Sequence, residues 1–585
     1  MTEITIEDSQ EKTILGHPRG LFVLFFAEMW ERFSYYGMRG LLILYLTQHF
    51  LFSDHKSSLI YGAYVSLVYV MGIVGGILAD RYLGQRKAII FGAVLLTLGH
   101  FGMAFEGNGS KQIMTYSGQE YELKLDGRGG DAVPYIQSET GRSNISYGEG
   151  GANMIIAEPA NVGLSENIAK EDYTTAVIQE DLYVNILYLS LAVIIAGVAF
   201  LKPNISAIVG ELYGVGDVRR DSGFTIFYMG INLGSFLASF ACGILGIVYG
   251  WNYGFGLAGF GMLLGLVTFV GFKGWLDNKG EAPSQEKLKQ SVFGPINVEM
   301  LCYASAILIS IFAIWLIKHA EIAAPLMGII GIVTFVALLA YAFLKLKGGE
   351  RSGMLAVMYF ALAQIPFWSL FEQAASSLNL FTDRLVDRTI FGWSVPAPVF
   401  QSLNAGYIFL FAPLVAWMWV FLAKRKLEPS TPVKFAIGVF LVALGFLALV
   451  AGMKMSGEGA MTAVVFIFLV YWVHTMGELF LSPVGLSATT KMAPQAAAAL
   501  AMSVWFLYTG LSNSLAGVIS TMAGVETIGG QMVDAVSAKA TYELVYTKLA
   551  YVGMGIGVAM LAMAPLVKKW MREKVESQLA HGEDA

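Results

Sequence analysis

The first long hydrophobic segment of the chain contains the sequence Glu28-Met-Trp-Glu31-Arg32-Phe-Ser-Tyr35-Tyr36-Gly-Met-Arg39. Apolar residues flank it at 21–27 and 41–46, so four charged residues lie in an otherwise membrane-like helix. A charge at the centre of a bilayer helix costs about 2.5–3.5 kcal/mol, so such residues normally face a polar cavity or a partner. Residues three and four apart share a helix face, which here carries Glu28, Arg32, Tyr35, Tyr36 and Arg39. We predict that this face lines a polar pathway; the alternative is a helix hairpin with an internal Glu28–Arg32 ion pair.

The composition is that of a membrane protein with many helices. Of the 585 residues, 56% are hydrophobic and 14% are charged, whereas soluble proteins average about 25% charged residues. Many apolar runs are about twenty residues long, the length of a helix that spans a bilayer. The two cysteines, Cys242 and Cys302, lie inside apolar runs, which predicts buried packing rather than a disulfide or metal site. The polar first twenty residues lack a cleavable signal pattern, so the first helix is expected to direct its own insertion.

The apolar runs predict fourteen membrane helices. Their ranges are 20–48, 57–80, 87–105, 182–202, 222–247, 252–273, 298–318, 323–345, 353–378, 398–423, 433–453, 461–487, 496–520 and 543–567. Lys and Arg residues cluster in the connections that follow the second, fourth, eighth and tenth helices and after the last one. The opposite loops hold scattered bases such as Arg384. Because basic loops stay in the cytoplasm, both termini are predicted to be cytoplasmic.

The order of the helices predicts two bundles of six. Such an arrangement is typical of a transporter whose halves repeat each other. A short internal similarity, Leu201-Lys202-Pro203 against Leu481-Ser482-Pro483, falls at equivalent places in the two halves. The predicted parts are an N-terminal tail at 1–19, an N-terminal bundle at 20–273, a charged cytoplasmic linker at 274–297, two extra helices at 298–345, a C-terminal bundle at 353–567 and a cytoplasmic tail at 568–585.

A polar extracytoplasmic insertion at 106–181 separates the third helix from the fourth. It is rich in Gly, Asn and Glu and holds 13 acidic and 5 basic residues. Its apolar alternation is weak, and Tyr121-Glu-Leu123-Lys-Leu125, followed by Asp126-Gly127, is one hairpin candidate. We expect a small β-rich or loop insertion.

The loop between the second and third helices carries a recognisable motif, Gly75-Gly76-Ile-Leu-Ala79-Asp80-Arg81-Tyr-Leu-Gly84-Gln-Arg86-Lys87. Glycines allow two helices to approach closely, and the bases suit a cytoplasmic helix end. The alternative is an ordinary basic turn. The motif resembles the loop signature of the major facilitator superfamily, which implies an all-α polytopic membrane fold with 12 core helices in two six-helix bundles, here with 2 extra helices.

Intramembrane charges are divided unequally between the halves. The first bundle holds Lys202 besides the charges of the first helix, whereas the second holds Glu372 and Glu478 with no base in those helices. Unpaired charges would each cost several kcal/mol, so pairing across the bundle interface is expected. Pairs that form on one side and break on the other would act as gates, and protonating a gate carboxylate would release its basic partner. A cavity with opposite charges on its two walls also suits a zwitterion.

Two polar residues in these helices, Lys202 and His474, have simpler interpretations. Lys202 precedes Pro203 at the predicted end of the fourth helix, where the proline would expose backbone carbonyls to a cavity; the alternative is a lysine extending to the membrane surface. His474 lies one turn before Glu478 and is either a titrating group or a packed, hydrogen-bonded side chain. Glu478 shares a helix face with Ser482, as Glu372 does with Trp368.

The combination of motifs resembles the proton-dependent oligopeptide transporter (POT) family. The first helix matches its signature at Glu28-x-x-Glu31-Arg32-Phe33-x-Tyr35-Tyr36-Gly37. The other matching elements are the block from Gly75 to Gly99, Lys202-Pro203-Asn204, Phe224-Thr-Ile-Phe227-Tyr228-Met-Gly-Ile231-Asn232-Leu-Gly234-Ser235-Phe236, Phe367-Trp368 with Glu372-Gln373, Gln401-Ser-Leu-Asn404, and Glu478 with Ser482-Pro483. The resemblance covers nearly the whole chain except 106–181, and the two extra helices are similar to those of bacterial members.

The resemblance implies proton-driven import of di- and tripeptides by alternating access. It implies proton coupling through Glu28, Glu31, Arg32 and Glu478. It implies an outer gating pair, Arg39 with Glu372, and a cytoplasmic one, Lys202 with Glu478. The implied contacts of the substrate are Asn232, Asn404, Glu478 and Ser482 for the amino terminus and backbone, Arg32, Arg39 and Lys202 for the carboxylate, and Tyr35, Tyr69, Trp368 and Trp505 for side-chain pockets.

The implied ligands are peptides and protons, with no cofactor, metal or nucleic acid, in a chain expected to work as a monomer in the bacterial inner membrane. One departure is that animal members carry a histidine in the second helix, and 57–80 contains none, which leaves proton handling to carboxylates.

Other functions stay open at this point. Plant relatives of the family carry nitrate and other small solutes, so an anionic, zwitterionic or peptide-like compound is the alternative substrate. A membrane enzyme is disfavoured, since neither a His-Glu-x-x-His motif nor a phosphate-binding glycine loop occurs. A membrane receptor would require the acidic insertion to be the binding part, and it would leave the buried charges without a purpose.

Overall fold

The computed structural model of the protein describes residues 12–126, 133–148, 151–214, 217–494, 497–528 and 530–580. Within these residues, fourteen long α-helices follow one another along the chain. They are α1 Gly20–Leu44, α2 Asp54–Leu78, α3 Gln85–Met103, α4 Asp181–Glu211, α5 Arg220–Ile244, α6 Trp251–Phe272, α7 Val298–Lys318, α8 Ala323–Leu344, α9 Gly348–Phe371, α10 Ser402–Lys424, α11 Thr431–Ser456, α12 Val465–Met492, α13 Ala498–Thr521 and α14 Ala535–Ala580.

Most of these helices have the length and composition of membrane spans. In the described part of the chain, 12 helices are long and apolar enough to cross a bilayer. α1 and α13 are outside that set, and α1 carries four charged residues. Both nevertheless pack along neighbouring spans, α1 against α5 and α6 and α13 against α2. The predicted all-α polytopic membrane fold is therefore confirmed.

The helices form two bundles with separate apolar cores. The first core is built from α1–α6 and α7, and the second from α8 and α9–α14. The extra helices thus divide between the bundles, because α7 packs on α4 and α8 packs on α13. Contacts of α2 with α13 and of α5 with α10 join the two halves. Residues that face the other bundle along these contacts are placed to form the site.

Several helices extend beyond their predicted ends. α4 was expected to stop at Lys202 but continues through Pro203 to Glu211, so Lys202 lies well inside the helix. The side-chain amide of Asn204 donates to the carbonyl of Phe200 at 2.7 Å, one turn away. Proline is tolerated in membrane helices because neighbouring groups satisfy the freed backbone. α12 likewise passes through Pro483, and α14 runs to Ala580, so the predicted tail from residue 568 is largely helical.

α9 is interrupted within its apolar run. The helix stops at Phe371, a 3₁₀ turn occupies Glu372–Ala375, and a second helical segment follows at Ser377–Leu385. The apolar pattern predicted one helix at 353–378. The interruption places Glu372 at a helix end, and the segment after it, Ser377–Leu385, is almost entirely buried.

Close backbone contacts explain two glycines, one in α2 and one in the loop that follows it. A Cβ on Gly75 would overlap the carbonyl oxygen of Ala199, the group that Pro203 leaves without its helical donor. Gly84 has φ of +75° and lies against the backbone at Glu281 and Ala282. Arg86 joins this contact, because its Nη1 lies 2.9 Å from Glu281 Oε1. The linker at 274–297, which is predicted to be cytoplasmic, therefore contacts this loop.

The insertion between α3 and α4 is a seven-stranded antiparallel sheet, here called the sheet domain. Its strands are β1 Lys111–Tyr116, β2 Gln119–Asp126, β3 Val133–Gln137, β4 Arg142–Tyr147, β5 Asn153–Ile156, β6 Asn167–Ala169 and β7 Tyr173–Ile178, in the spatial order 6-5-4-3-2-1-7. The first and last strands are neighbours, with Lys111 opposite Ile178. The expected strand at Tyr121–Leu125 is β2, which pairs with β1 and β3. Gly127 of the predicted turn lies outside the described residues.

Candidate transport site between the two bundles

The charged residues of α1 form a buried ionic cluster. Arg32 Nε lies 3.1 Å from Glu28 Oε1 and pairs more closely still with Glu31, and all three residues are buried. The simple Glu28–Arg32 ion pair of the alternative interpretation is thus present, but a second carboxylate joins it. Arg32 Nη2 is buried and has no hydrogen-bond partner in the described part of the chain. One guanidinium nitrogen is therefore available to another acceptor.

Aromatic rings surround the bases of the first bundle. The Arg32 guanidinium lies 5.3 Å from the centre of the Tyr35 ring. Lys202 Nζ lies 4.1 Å from the centre of the Tyr69 ring and 5.9 Å from that of Tyr35. Cation–π contacts of this kind hold a cation without neutralising it. α1, α2 and α4 thereby build one aromatic wall, in which Lys202 lies among tyrosine rings and Arg32 lies between a tyrosine ring and two carboxylates.

The predicted outer pair is formed. Arg39 on α1 makes an ion pair with Glu372, and both side chains are less than 10% exposed. Arg39 Nε also donates to the Tyr61 hydroxyl at 2.5 Å. Since α1 and the end of α9 belong to different bundles, this pair joins the two halves of the protein directly.

Glu478 organises the facing wall. Its Oε2 accepts a hydrogen bond from Asn404 Nδ2 at 2.7 Å, and the same amide contacts Thr475 Oγ1 at 3.1 Å. The carboxylate also acts electrostatically on the hydroxyls of Tyr36 and Tyr228, which belong to the first bundle. Glu478 is therefore directed toward the opposite bundle while being held by its own.

Asn232 lies on the first-bundle side of the same region. It is buried, and its Nδ2 donates to the Tyr228 carbonyl at 3.0 Å. α5 therefore supplies a polar side chain close to the Tyr228 hydroxyl on which Glu478 acts. The site therefore has polar contributions from α5 as well as from α1, α2 and α4.

The predicted cytoplasmic pair is not formed in this structure. Lys202 interacts electrostatically with Tyr69, Arg32 and the carboxylates of α1, whereas Glu478 is bonded to Asn404. Among the described residues, no ion pair joins Lys202 to Glu478. The two residues therefore have separate partners, each within its own bundle, while the outer pair is closed.

The remaining predicted residues occupy different surroundings. The Trp368 ring is half-buried and stacks edge-on against Phe367 and Phe371. Ser482 is half-buried, one turn after Glu478 on α12. Trp505 is buried in the core of the second bundle, and its ring lies against Gly485, which follows Glu478 by two turns on α12.

His474 is packed, as one of its two interpretations proposes. Its Nε2 lies 3.0 Å from the Val442 carbonyl, and its ring contacts that of Phe446 with centroids 4.9 Å apart. The imidazole is buried and lies among apolar neighbours and backbone. It therefore supports the packing of α12 against α11, near the carboxylate but bonded away from it.

The structure adds an ionic contact that the sequence did not predict. Arg384 holds Asp54 through two hydrogen bonds, Nη1 to Oδ2 at 2.6 Å and Nη2 to Oδ1 at 2.8 Å, and both residues are buried. Asp54 Oδ2 also accepts from the backbone N–H of Val525 at 3.0 Å. This cluster connects the start of α2 to the segment after α9, so it joins the two bundles.

A small cavity lies next to the Arg39–Glu372 pair. It has a volume of about 40 Å³ and is lined by residues of both bundles, among them Tyr36, Arg39, Glu372, Gln401 and Asn404. Such a volume holds a few waters at most, whereas ligand pockets measure about 300–1,000 Å³. This cavity is therefore too small for a peptide.

Two helix bundles with buried basic residues on one facing wall and a carboxylate on the other define the protein as a membrane transporter of the major facilitator type, not an enzyme. The sequence model described as "PTR2: POT family" matches residues 86–538. The chain therefore belongs to the POT family.

Individual relatives match nearly the whole chain. A Bacillus subtilis (strain 168) protein named uncharacterized transporter YclF is 32% identical over 578 residues, which covers 97% of this chain and 98% of the relative. A Yersinia enterocolitica protein named peptide transporter YePEPT is 31% identical and covers 87% of this chain and 88% of its own. The crystal structure of a peptide transporter POT in complex with sulfate superposes with a TM-score of 0.72 at 30% identity, covering 96% of this chain and 97% of that one. The predicted two-bundle fold is thus confirmed.

Proposed function

We propose that this protein is a proton-coupled symporter that imports di- and tripeptides by alternating access. The observation that carries the proposal is the pair of facing walls, with Arg32 and Lys202 on one and Glu478 on the other. A short peptide carries an ammonium and a carboxylate at its two ends, and each wall offers the charge opposite to one of them. Membership of the POT family and the names of the relatives support peptides as the substrate.

The carboxylate of the peptide binds the first bundle in this proposal. Arg32 Nη2 is buried without a hydrogen-bond partner among the described residues, and Lys202 is held mainly by aromatic rings. A carboxylate that bridged these two groups would gain charge-assisted hydrogen bonds in a site of low dielectric. Arg39 would join them once its outer pair opens.

The amino terminus of the peptide binds Glu478. This carboxylate accepts one hydrogen bond from Asn404, which leaves acceptor capacity for an ammonium group. Asn232, Asn404 and Ser482 would contact the peptide backbone, and Tyr35, Tyr69, Trp368 and Trp505 would line the side-chain pockets. These assignments follow the family motif.

Proton coupling acts through the carboxylates that compete for Arg32. While Glu28 and Glu31 are ionised, they hold the guanidinium on α1. Protonation of either carboxylate weakens this pairing and frees Arg32 for the substrate, so the proton and the peptide bind together. Protons are the coupling ion and no cofactor takes part. A membrane potential contributes about 2.3 kcal/mol per charge per 100 mV.

Alternating access exchanges one cross-bundle pair for the other. In this structure Arg39 and Glu372 are paired, whereas Lys202 and Glu478 are apart, which corresponds to an outer side that is closed. Opening of the outer side breaks the first pair and forms the second. The site is completed by the two bundles of one chain, so a monomer in the bacterial inner membrane, with both termini in the cytoplasm, is the proposed working unit.

Uptake into proteoliposomes tests this proposal. Purified protein is reconstituted, and a labelled dipeptide is added outside at acid pH with an inside-negative potential. Accumulation that depends on the proton gradient and is inhibited by a tripeptide, but not by free amino acids or nitrate, is the expected result. Folded protein that accumulates no peptide would refute the proposal, and accumulation of nitrate instead would support the anion transporter.

A further inference from the structure

The sheet domain holds a piece of the opposite bundle in its core. The connection between α13 and α14 contains a short hairpin, Thr527–Ile528 paired with Gln531–Met532, here called the C-bundle hairpin. Ile528 and Val533 are 4% and 7% exposed and belong to the same apolar cluster as Met114, Ile136 and Met154 of the sheet. The sheet domain, which is inserted in the first bundle, therefore binds side chains of the second bundle.

The C-bundle hairpin also touches the outer end of the first bundle. A Cβ on Gly530 would lie 3.4 Å from Gln48 Cα, directly after α1. The backbone N–H of Val525 donates to Asp54 at the start of α2. The hairpin is therefore enclosed between the first bundle on one side and the sheet domain on the other.

The sheet domain is attached to the first bundle at both of its ends. The backbone N–H of Ser110, just before β1, donates to the His49 carbonyl at 2.9 Å. Gln179, just after β7, donates from Nε2 to the Phe50 carbonyl at 2.9 Å. Entry and exit are thus both fixed to the residues that follow α1, so the domain is expected to move with the first bundle.

We propose that the sheet domain and the C-bundle hairpin form an outer clasp that holds the outer ends of the bundles together. The inference rests on the proposed alternating access, because outward opening must separate these ends. Each transport cycle then withdraws Ile528 and Val533 from the sheet and returns them. The apolar contact supplies most of the stabilisation of the clasp. The Lys170–Glu526 ion pair beside it adds little, because its side chains are about half exposed and such pairs contribute little. The clasp therefore favours the outward-closed state.

A reversible cross-link tests the clasp directly. A Cβ built on Gly151 lies 3.9 Å from Val533 Cβ, within the range of about 3.5–4.5 Å found in disulfides. Gly151→Cys with Val533→Cys is expected to take up peptide when reduced, to lose uptake when oxidised and to regain it after reduction. Val533→Cys alone, treated with the same oxidant, is the control, because a cysteine at Gly151 beside the native valine would bring its Cβ to 2.7 Å from Val533 Cγ1. Unchanged uptake by the fully cross-linked protein would overturn the proposal.

A labelling experiment tests the clasp without relying on transport. Ser58 on α2 is buried against Ser520 on α13, with the two hydroxyls 2.9 Å apart across the bundle interface. In a Ser58→Cys background, Ile528→Ala with Val533→Ala is expected to raise the rate of modification by a membrane-impermeant maleimide about tenfold, because two buried aliphatic side chains are truncated. Val177→Ala, at an exposed position of the sheet domain, is the matched control.

The two experiments separate the inference from the function on which it rests. If neither the parent nor any variant accumulates peptide, the proposed function fails, and the labelling rates still decide whether the clasp exists. If peptide accumulates but the labelling rate of the double alanine variant equals that of Val177→Ala, the clasp is refuted and the proposed function stands.

Discussion

The predicted outer and cytoplasmic ends of the polar pathway differ in how the two bundles meet. At the predicted outer end, Arg39 pairs with Glu372, Arg384 pairs with Asp54, and both pairs cross from one bundle to the other. At the predicted cytoplasmic end, Lys202 lies against the Tyr69 ring and Glu478 accepts a hydrogen bond from Asn404, each within its own bundle. The charges are thus satisfied by ion pairs across the interface in one region and by neighbours within a bundle in the other. In the proposed mechanism, ion pairs that cross the interface close one end at a time.

The largest expected effect comes from neutralising Glu478, whose carboxylate is hydrogen-bonded to Asn404. Glu478→Gln keeps the hydrogen-bonding shape but loses the charge that attracts a substrate ammonium and, in the other state, Lys202. We expect accumulation driven by the proton gradient to fall to background in proteoliposomes, with normal folding by size-exclusion chromatography. Glu576→Gln, an exposed carboxylate paired with the exposed Arg572, is the control. Wild-type accumulation by Glu478→Gln would contradict the assignment.

Arg39→Ala tests whether the Arg39–Glu372 pair holds the two bundles together at the predicted outer end. It leaves Glu372 buried without its partner, and breaking a buried pair in this way costs about 3–5 kcal/mol. We expect a clear fall in thermal stability in detergent as well as loss of uptake. Replacing both partners by leucine removes the unpaired charge, so the double variant is expected to regain stability while uptake stays lost. A single variant as stable as the parent would show that the pair does not hold the outer end closed.

Arg32→Ala is expected to have a more selective effect. Lys202 stays available to the substrate carboxylate, but the cation for which Glu28 and Glu31 compete is gone. Exchange of labelled for unlabelled peptide across the membrane should therefore continue, while peptide no longer drives proton entry measured with an internal pH dye. Arg142→Ala on the sheet domain, whose ion pair with Asp126 is exposed, is the control. Normal proton entry with peptide in Arg32→Ala would exclude this role.

The smallest effect is expected at the outer surface. Lys170→Ala removes an ion pair with Glu526 whose side chains are 48% and 57% exposed. Such pairs contribute about 0–1 kcal/mol, so stability and uptake are expected to stay close to those of the parent. Asp54→Ala, measured in parallel, removes a buried pair at the same end of the molecule and should reduce both. Equal losses in the two variants would mean that burial does not distinguish the two outer pairs.

The sequence was sufficient to predict the two bundles and the ionic cluster of α1. Long apolar runs and charges at helical spacing are local patterns, so the sequence alone predicts that Glu28, Arg32 and Arg39 lie together on one helix face. The predicted end of α4 was wrong because a proline normally stops a helix, whereas here Asn204 and the close approach of Gly75 accommodate Pro203 within the membrane. Such compensation depends on a neighbouring helix, which the local sequence does not show.

The Asp54–Arg384 cluster was missed for a similar reason. Arg384 follows the break in α9, and its position in the sequence predicts only a scattered base in a loop. Its burial depends on the helical segment Ser377–Leu385, which turns back over the bundles beyond the predicted helix end. The partner, Asp54, is more than 300 positions away in sequence. Pairing across such a separation is fixed by the packing of the two bundles, so neither residue carries a local signal.

The pairing of β1 with β7 bears on how this transporter acquired its insertion. Because Lys111 lies opposite Ile178, the chain enters and leaves the sheet domain at adjacent points. A unit with adjacent ends can be added to or lost from a surface loop without moving the flanking elements. The membrane bundle and the sheet domain can therefore evolve as separate modules. A homologue with a short turn in place of 106–181 would keep the same helices and pathway, and would differ in how firmly its outer side stays shut.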